Sequence, residues 1–149
     1  MKHSERISSK INNVLRVNYE AEKIYSEIFK SVPNESMKKF FKERQFKRHE
    51  YSRELVNEID RHEIIPKSVS ILKNHYNKTQ IKERNQEISN NGEYLLFEVF
   101  RLIKESINTY DELLMEMSLP LSLCRALVKQ RDDIQSTMQL LARDEEFAY

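Results

Sequence analysis

The residues of this chain that could do chemistry are few, and each has a structural reading beside its reactive one. Cys124, the single cysteine, falls in the first turn of the last expected helix, where the positive end of the helix dipole favours a thiolate. The same place suits a small apolar side chain turned to the core. Glu58 and His62 stand four apart on one helix face, a spacing that could bind a metal weakly but far more often makes a solvated surface pair. Lys38, Lys39, Lys42, Arg44, Lys47 and Arg48, interleaved with Phe40, Phe41 and Phe46, have the composition of a nucleic-acid face. On a helix these charges spread round the circumference and are interrupted by Glu43 and Glu50, so no nucleic-acid partner is expected. With one glycine, Gly92, the chain has no Gly-x-Ser-x-Gly elbow, phosphate loop or dinucleotide fingerprint. No catalytic residue is assigned.

The elements that must position these groups follow from composition. The 149 residues suit one domain, taken as 1–149, large enough to bury a core without disulfide or metal staples. Twenty-five basic residues nearly cancel 24 acidic ones, so no global field draws the chain to nucleic acid or anionic lipid. One cysteine fits a reducing compartment, and the cytoplasm is the expected location. The N-terminal residues are polar and no run of about 18 apolar residues occurs, so neither secretion nor membrane insertion is expected. The C-terminal Phe147 and Tyr149 could serve a membrane surface, but Asp144, Glu145 and Glu146 beside them argue against anionic lipid.

A single glycine and three prolines are too few turn residues for a β-rich domain, whereas abundant Glu, Lys, Arg, Leu, Met and Gln favour helices. Between Pro33, Pro66, Pro120 and Gly92, apolar residues recur at steps of three and four. The first stripe runs Ile7, Ile11, Val14/Leu15, Asn18, Ala21/Glu22, Tyr25, Ile28/Phe29, Val32, and Asn34 is placed to cap the next helix. The second runs Met37, Phe40/Phe41, Arg44, Arg48, Tyr51, Leu55, Ile59, His62. The third runs Ile88, Gly92, Leu95/Leu96, Val99/Phe100, Ile103, Ile107, Tyr110, Leu113/Leu114, Met117, and the fourth Leu123, Leu127, Gln130/Arg131, Ile134, Thr137/Met138, Leu141. Helices of roughly 28 to 30 residues would be about 42 to 45 Å long. Two short links make antiparallel neighbours, while the link from Glu63 to Arg84, with a short apolar pattern at Val69, Leu72 and Tyr76, is long enough to cross the bundle and carry a small helix. The expected fold is all-α: an antiparallel four-helix bundle with a long crossover between helices 2 and 3.

The helix midpoints near residues 20, 46, 101 and 133 define one layer, and its core-facing positions are polar in three helices: Asn18 and Glu22, Arg44 and Arg48, Gln130 and Arg131. The third helix stays apolar there, with Val99, Phe100 and Ile103 on its stripe and Glu98 at the edge. Buried charges need partners, and Glu22 with Arg44 or Arg48 is the evident pair. The layer is either a site at the bundle centre or a drift of register in which long arginines reach solvent.

Blocks at Ile11-Asn12-Asn13-Val14-Leu15, Tyr19-Glu20-Ala21-Glu22, Phe41-Lys42-Glu43-Arg44, Glu54-Leu55, Tyr110-Asp111-Glu112-Leu113-Leu114, Leu119-Pro120, Arg125-Ala126-Leu127-Val128 and Ile134-Gln135, in this spacing, resemble a bacterial ferritin-like four-helix-bundle family of unknown function, related to the dinuclear-iron superfamily. The resemblance spans about residues 10–145. It implies the ferritin-type connection and, in relatives that use metal, a Glu on each of two helices with Glu-x-x-His on each of the others. Here Phe46, Ile59 and Leu72 stand three before His49, His62 and His75, and Met138 stands where a histidine would be sought. Phe100 and Ile103 replace inward carboxylates. Glu22 and Glu43 remain, while Arg44, Arg48 and Arg131 bring positive charge.

The resulting expectation is a non-enzymatic cytoplasmic bundle, with a stress-related role implied by the resemblance, in which a salt-bridged layer replaces the metal site. No cofactor is expected, and function would lie in a homodimer or a protein partner. The alternative is a dinuclear iron or manganese protein, an oxidoreductase or a metal store, with an atypical site drawn from Glu22, Glu43, Glu98 and Asp133.

Overall fold

The computed structural model describes the backbone of residues 3–64 and 92–143, and the side chains of 5–64 and 97–142. It consists of four helices: α1 (His3–Ser31), α2 (Glu35–Arg61), α3 (Gly92–Leu114) and α4 (Leu121–Arg143), with no strand among the described residues. The short helix expected in the connection lies outside the described residues, as do Ile88, the C-terminal Phe147 and Tyr149, and His75.

Local chemistry sets the helix ends. Asn34 caps α2 through its side-chain oxygen, which accepts from the backbone N–H of Ser36 at 2.8 Å and Met37 at 3.2 Å, satisfying donors that have no intrahelical partner. At the other end Glu63 takes a left-handed conformation with φ of 56°, while the Ile64 N–H reaches the Ile59 carbonyl and Glu63 N–H reaches Asp60. This is a Schellman ending with a glutamate where glycine is common, and Ile64 packs on the core beside it. The third helix ends at Leu114, earlier than its apolar stripe implies. Met117, expected to close that stripe, is 99% exposed in the turn between Leu114 and Leu121.

α1 packs against α2 and α3, and α4 packs against α3 and α2. Pairings across the seams fix the directions. Arg6 near the start of α1 meets Glu116 just beyond α3, and Glu58 near the end of α2 meets Ser122 at the start of α4. Every adjacent pair is therefore antiparallel, and the diagonal helices α2 and α3 run in the same sense.

The apolar stripes meet in one cluster fed by all four helices, including Leu15, Tyr25 and Ile28 of α1, Phe41 and Leu55 of α2, Leu102, Ile103 and Leu113 of α3, and Leu123 and Leu127 of α4. Tyr25 and Phe41 pack with ring centroids 5.9 Å apart. Each fully buried large side chain of this kind stabilises the fold by about 1.5–3 kcal/mol through the surface it removes from water. Among the described residues no helix is long and apolar enough to cross a membrane.

Candidate functional site

A polar layer interrupts this core midway along the bundle, and its centre is a guanidinium. Arg48 projects from α2 with only 3% of its surface exposed. Its Nη1 donates to Asn18 Oδ1 at 2.9 Å and to Ser106 Oγ at 3.0 Å. Because a guanidinium only donates, the Asn18 oxygen must face it, and the Asn18 amide nitrogen then donates to the Tyr110 hydroxyl at 2.8 Å. Tyr110 in turn donates to Gln130 Oε1 at 2.7 Å, and Gln130 Nε2 donates to the Tyr51 carbonyl at 3.4 Å. Burial holds the Tyr110 hydroxyl far above the ordinary tyrosine value, so it stays protonated and serves as the donor to Gln130. One directional chain of hydrogen bonds thus links all four helices.

Asn18 meets Arg48 directly and Gln130 joins them through Tyr110, and the third helix is not apolar at this level. It supplies Ser106 and Tyr110, beyond the midpoint near residue 101. Ser106 was legible as a small polar residue in register with Leu102, Ile103 and Tyr110, and Tyr110 stood within the apolar stripe with its hydroxyl left out of account.

The expected pair of Glu22 with Arg44 or Arg48 does not form. Glu22 lies on the α1–α2 seam and its Oε1 is 2.8 Å from His49 Nδ1, while its Oε2 is buried without a hydrogen-bond partner. The physical reason is rotation: His49 follows Arg48 by one residue, about 100° round the helix, which takes it to the flank where Glu22 stands. Arg44 lies half-buried with its guanidinium 4.7 Å from the Phe40 ring centroid, and its Nε is buried and unpartnered. Arg131 turns to the α3–α4 seam, where it binds Asp111 through Nε and, at 3.3 Å, through Nη2.

The four carboxylates considered for a metal pair stand apart. Glu43 is exposed on α2. Glu98 lies on the α1–α3 seam, and Asp133 on the α2–α4 side accepts from Tyr51 and from Lys47 at 3.3 Å. Glu98 belongs to a cluster that sequence reasoning missed: Arg101 contacts Glu98 at 2.5 Å, Glu105 at 2.6 Å and Glu20 at 3.6 Å. Glu98 and Glu20 are almost wholly buried. The spacing Glu98, Arg101, Glu105 along one helix face was the available signal. Among the described residues no group of three or more His, Cys, Asp or Glu side chains is arranged to hold a metal ion.

Two further candidates lie where α2 meets α4 and in the first turn of α4. Glu58 and His62 meet at 3.3 Å, with the Ser122 hydroxyl 2.7 Å from Glu58 and 2.9 Å from His62. That hydroxyl, ahead of the Arg61 charge, holds the Glu58 carboxyl below its usual range. The pair thus fastens the end of α2 to the start of α4. Cys124 is half-buried and carries a free thiol.

A family model described as Domain of unknown function (DUF2383) matches residues 6–116. The chain belongs to this family. The match takes in α1, α2, the connection and α3, so Asn18, Arg48, Ser106 and Tyr110 lie within the family segment, whereas Gln130 on α4 lies beyond it. No curated protein and no solved structure matches the chain significantly.

Proposed function

We propose that this family member is a ferritin-like bundle, a single domain over 1–149, in which a hydrogen-bonded polar layer takes the place of a metal pair, and that it acts by association rather than by catalysis. The observation that carries this reading is Arg48: a buried guanidinium held by Asn18 and Ser106 at the level where a dinuclear centre would need carboxylates and imidazoles. A fixed positive charge in a water-poor core repels a dication there, and the carboxylates that would have to answer it are committed to His49, Arg101, Lys47 and Tyr51. The parallel run of α2 and α3 supports the ferritin-type connection. Association is favoured by large apolar side chains exposed round the α3–α4 turn, with Met115 77%, Met117 99% and Leu121 65% exposed, since a cluster of that kind commonly marks a contact surface. A reducing cytoplasmic setting and a stress-related role complete the reading, resting on the lone cysteine and on the resemblance.

Metal analysis of protein purified without chelators tests it. The expected result is iron and manganese far below one equivalent per chain, with a melting temperature that neither ion moves. About two equivalents per chain, as a dinuclear centre requires, would replace this reading with the oxidoreductase or storage alternative.

A further inference from the structure

The two halves of the bundle present different outer surfaces. Seven large apolar side chains are exposed among the described residues, and six of them, Phe97, Met115, Met117, Leu121, Val128 and Leu140, lie on α3, on α4 or in the turn between them. The α1–α2 half exposes only Phe46. Scattered apolar residues are ordinary on a surface, but a one-sided distribution marks a contact face. We propose that a second copy of this chain covers it, with the two α4 helices packed antiparallel about a two-fold axis beside Val128. The inference rests on the reading that the protein acts by association, and it names the partner.

The charges along α4 select the occupant. Leu121, Arg125, Val128 and Asp132 are spaced four, three and four apart, so they share one helix stripe, and all four are exposed. In a two-fold contact the same patch serves both copies, and residues meet in reciprocal pairs. An axis midway between Arg125 and Asp132 brings each Arg125 to the partner's Asp132, twice over, and sets the two Val128 side chains beside each other between these pairs. The same register lays the α3–α4 turn of each copy, with Met117 and Leu121, toward the end of the partner's α4, where Leu140 is exposed.

Both charges are free to make this contact. Arg125 is exposed and makes no ion pair among the described residues. Asp132 has 65% of its side chain exposed and meets Arg131 only at 3.4 Å, while Arg131 is held chiefly by Asp111. A stripe that reads basic, apolar, acidic complements its own reverse, whereas a uniformly acidic or basic partner would set one of the two charges against its like. With a formal net charge of +1, two copies approach without long-range repulsion.

Sedimentation equilibrium of the full chain over a range of concentrations reads the association. Wild-type protein is expected to exchange reversibly between one and two chains per particle. Arg125→Asp and Asp132→Arg each set like charges against each other at both pairs and are expected to weaken the dimer by about tenfold. An equimolar mixture of the two variants is expected to regain wild-type affinity, because an acidic stripe then faces a basic one. Wild-type protein that stays monomeric at about 1 mM, where a millimolar contact would hold half the chains, would overturn the proposal, as would single variants that associate as wild type does or a mixture of folded variants that gains nothing. If a charge variant folds poorly, Val128→Cys in a Cys124→Ser background keeps the test decisive. A short bismaleimide is expected to join that chain to its copy, and failure to do so would overturn the two-fold contact. Metal analysis of the same sample separates the two readings: two equivalents of iron or manganese would defeat the proposed function, whereas metal-free protein that stays monomeric would defeat only the self-pairing.

Discussion

Two arginines of this bundle, one on a helix seam and one buried at its centre, are answered in opposite ways. Arg101, on the α1–α3 seam, is surrounded by the carboxylates of Glu20, Glu98 and Glu105. Arg48, at the centre, meets only neutral groups among the described residues and keeps one nitrogen unpartnered. In the first arrangement the guanidinium is answered by an excess of acid, three carboxylates to one cation. The second is open, and its hydrogen bonds orient a positive charge without neutralising it. Position in the bundle alone therefore does not tell whether an arginine's charge is answered. The chemistry of its neighbours does.

The largest effect is expected where carboxylates surround the guanidinium. Arg101→Ala takes the guanidinium from two deeply buried carboxylates and should cost about 3 kcal/mol in urea unfolding at neutral pH. A loss below about 1 kcal/mol, the size of a surface pair, would erase the contrast between the seam and the centre. Next comes Tyr110→Phe, which removes the donor to Gln130 and the acceptor for Asn18 while keeping the ring; about 2 kcal/mol is expected from the same measurement.

Arg48→Met sharpens the comparison from the other side. The substitution removes a desolvated charge and orphans chiefly Asn18 Oδ1, since Ser106 retains its bond to the Leu102 carbonyl. The two consequences oppose each other, and a net change within about 1 kcal/mol is expected. A loss as large as that of Arg101→Ala would show that the charge at the centre is compensated after all.

The bundle also offers a third case at its rim, where Arg6 and Lys10 bind Glu116 at 2.7 and 3.0 Å. Hydrogen bonds from Arg6, then from Lys10, lower the Glu116 carboxyl from 4.5 to about 2. A carboxyl whose pKa is lower in the folded state stabilises the fold fully above its unfolded value. That contribution is lost as pH falls through the folded value, between about pH 4.5 and 2. Glu116→Gln should remove that contribution, so the variant melts lower at neutral pH, by a modest amount because the partners are partly solvated, and converges with the wild type as pH falls toward about 2. An unchanged acid profile would remove Glu116 from the account.

What the sequence made legible, and what it hid, divides along the same line. Periodicity along one helix tells which residues face inward, so Leu15, Tyr25, Phe41, Leu55 and Leu127 were placed in the core, and Asn18, Arg48 and Gln130 were recognised as polar interruptions. The turn chemistry of Asn34 was equally plain. Periodicity does not tell which neighbour an inward residue meets, because that depends on the rotation and height of the facing helix. Hence Glu22 was paired with an arginine when a rotation of one residue brings His49 instead. The third helix was read as apolar at the layer because a tyrosine counts as apolar until its hydroxyl finds partners. Glu20 was overlooked because it lies beside the main stripe, on a seam that exists only once α3 is packed against α1.

The central claim is that a guanidinium occupies the place where a metal pair would sit. Anomalous scattering from crystals of the full chain grown with manganese or iron tests it most directly. The account predicts no anomalous peak among Glu22, Glu43 and Glu98, with Arg48 still bonded to Asn18 and Ser106. Two peaks held by those carboxylates, with Arg48 displaced toward solvent, would contradict it.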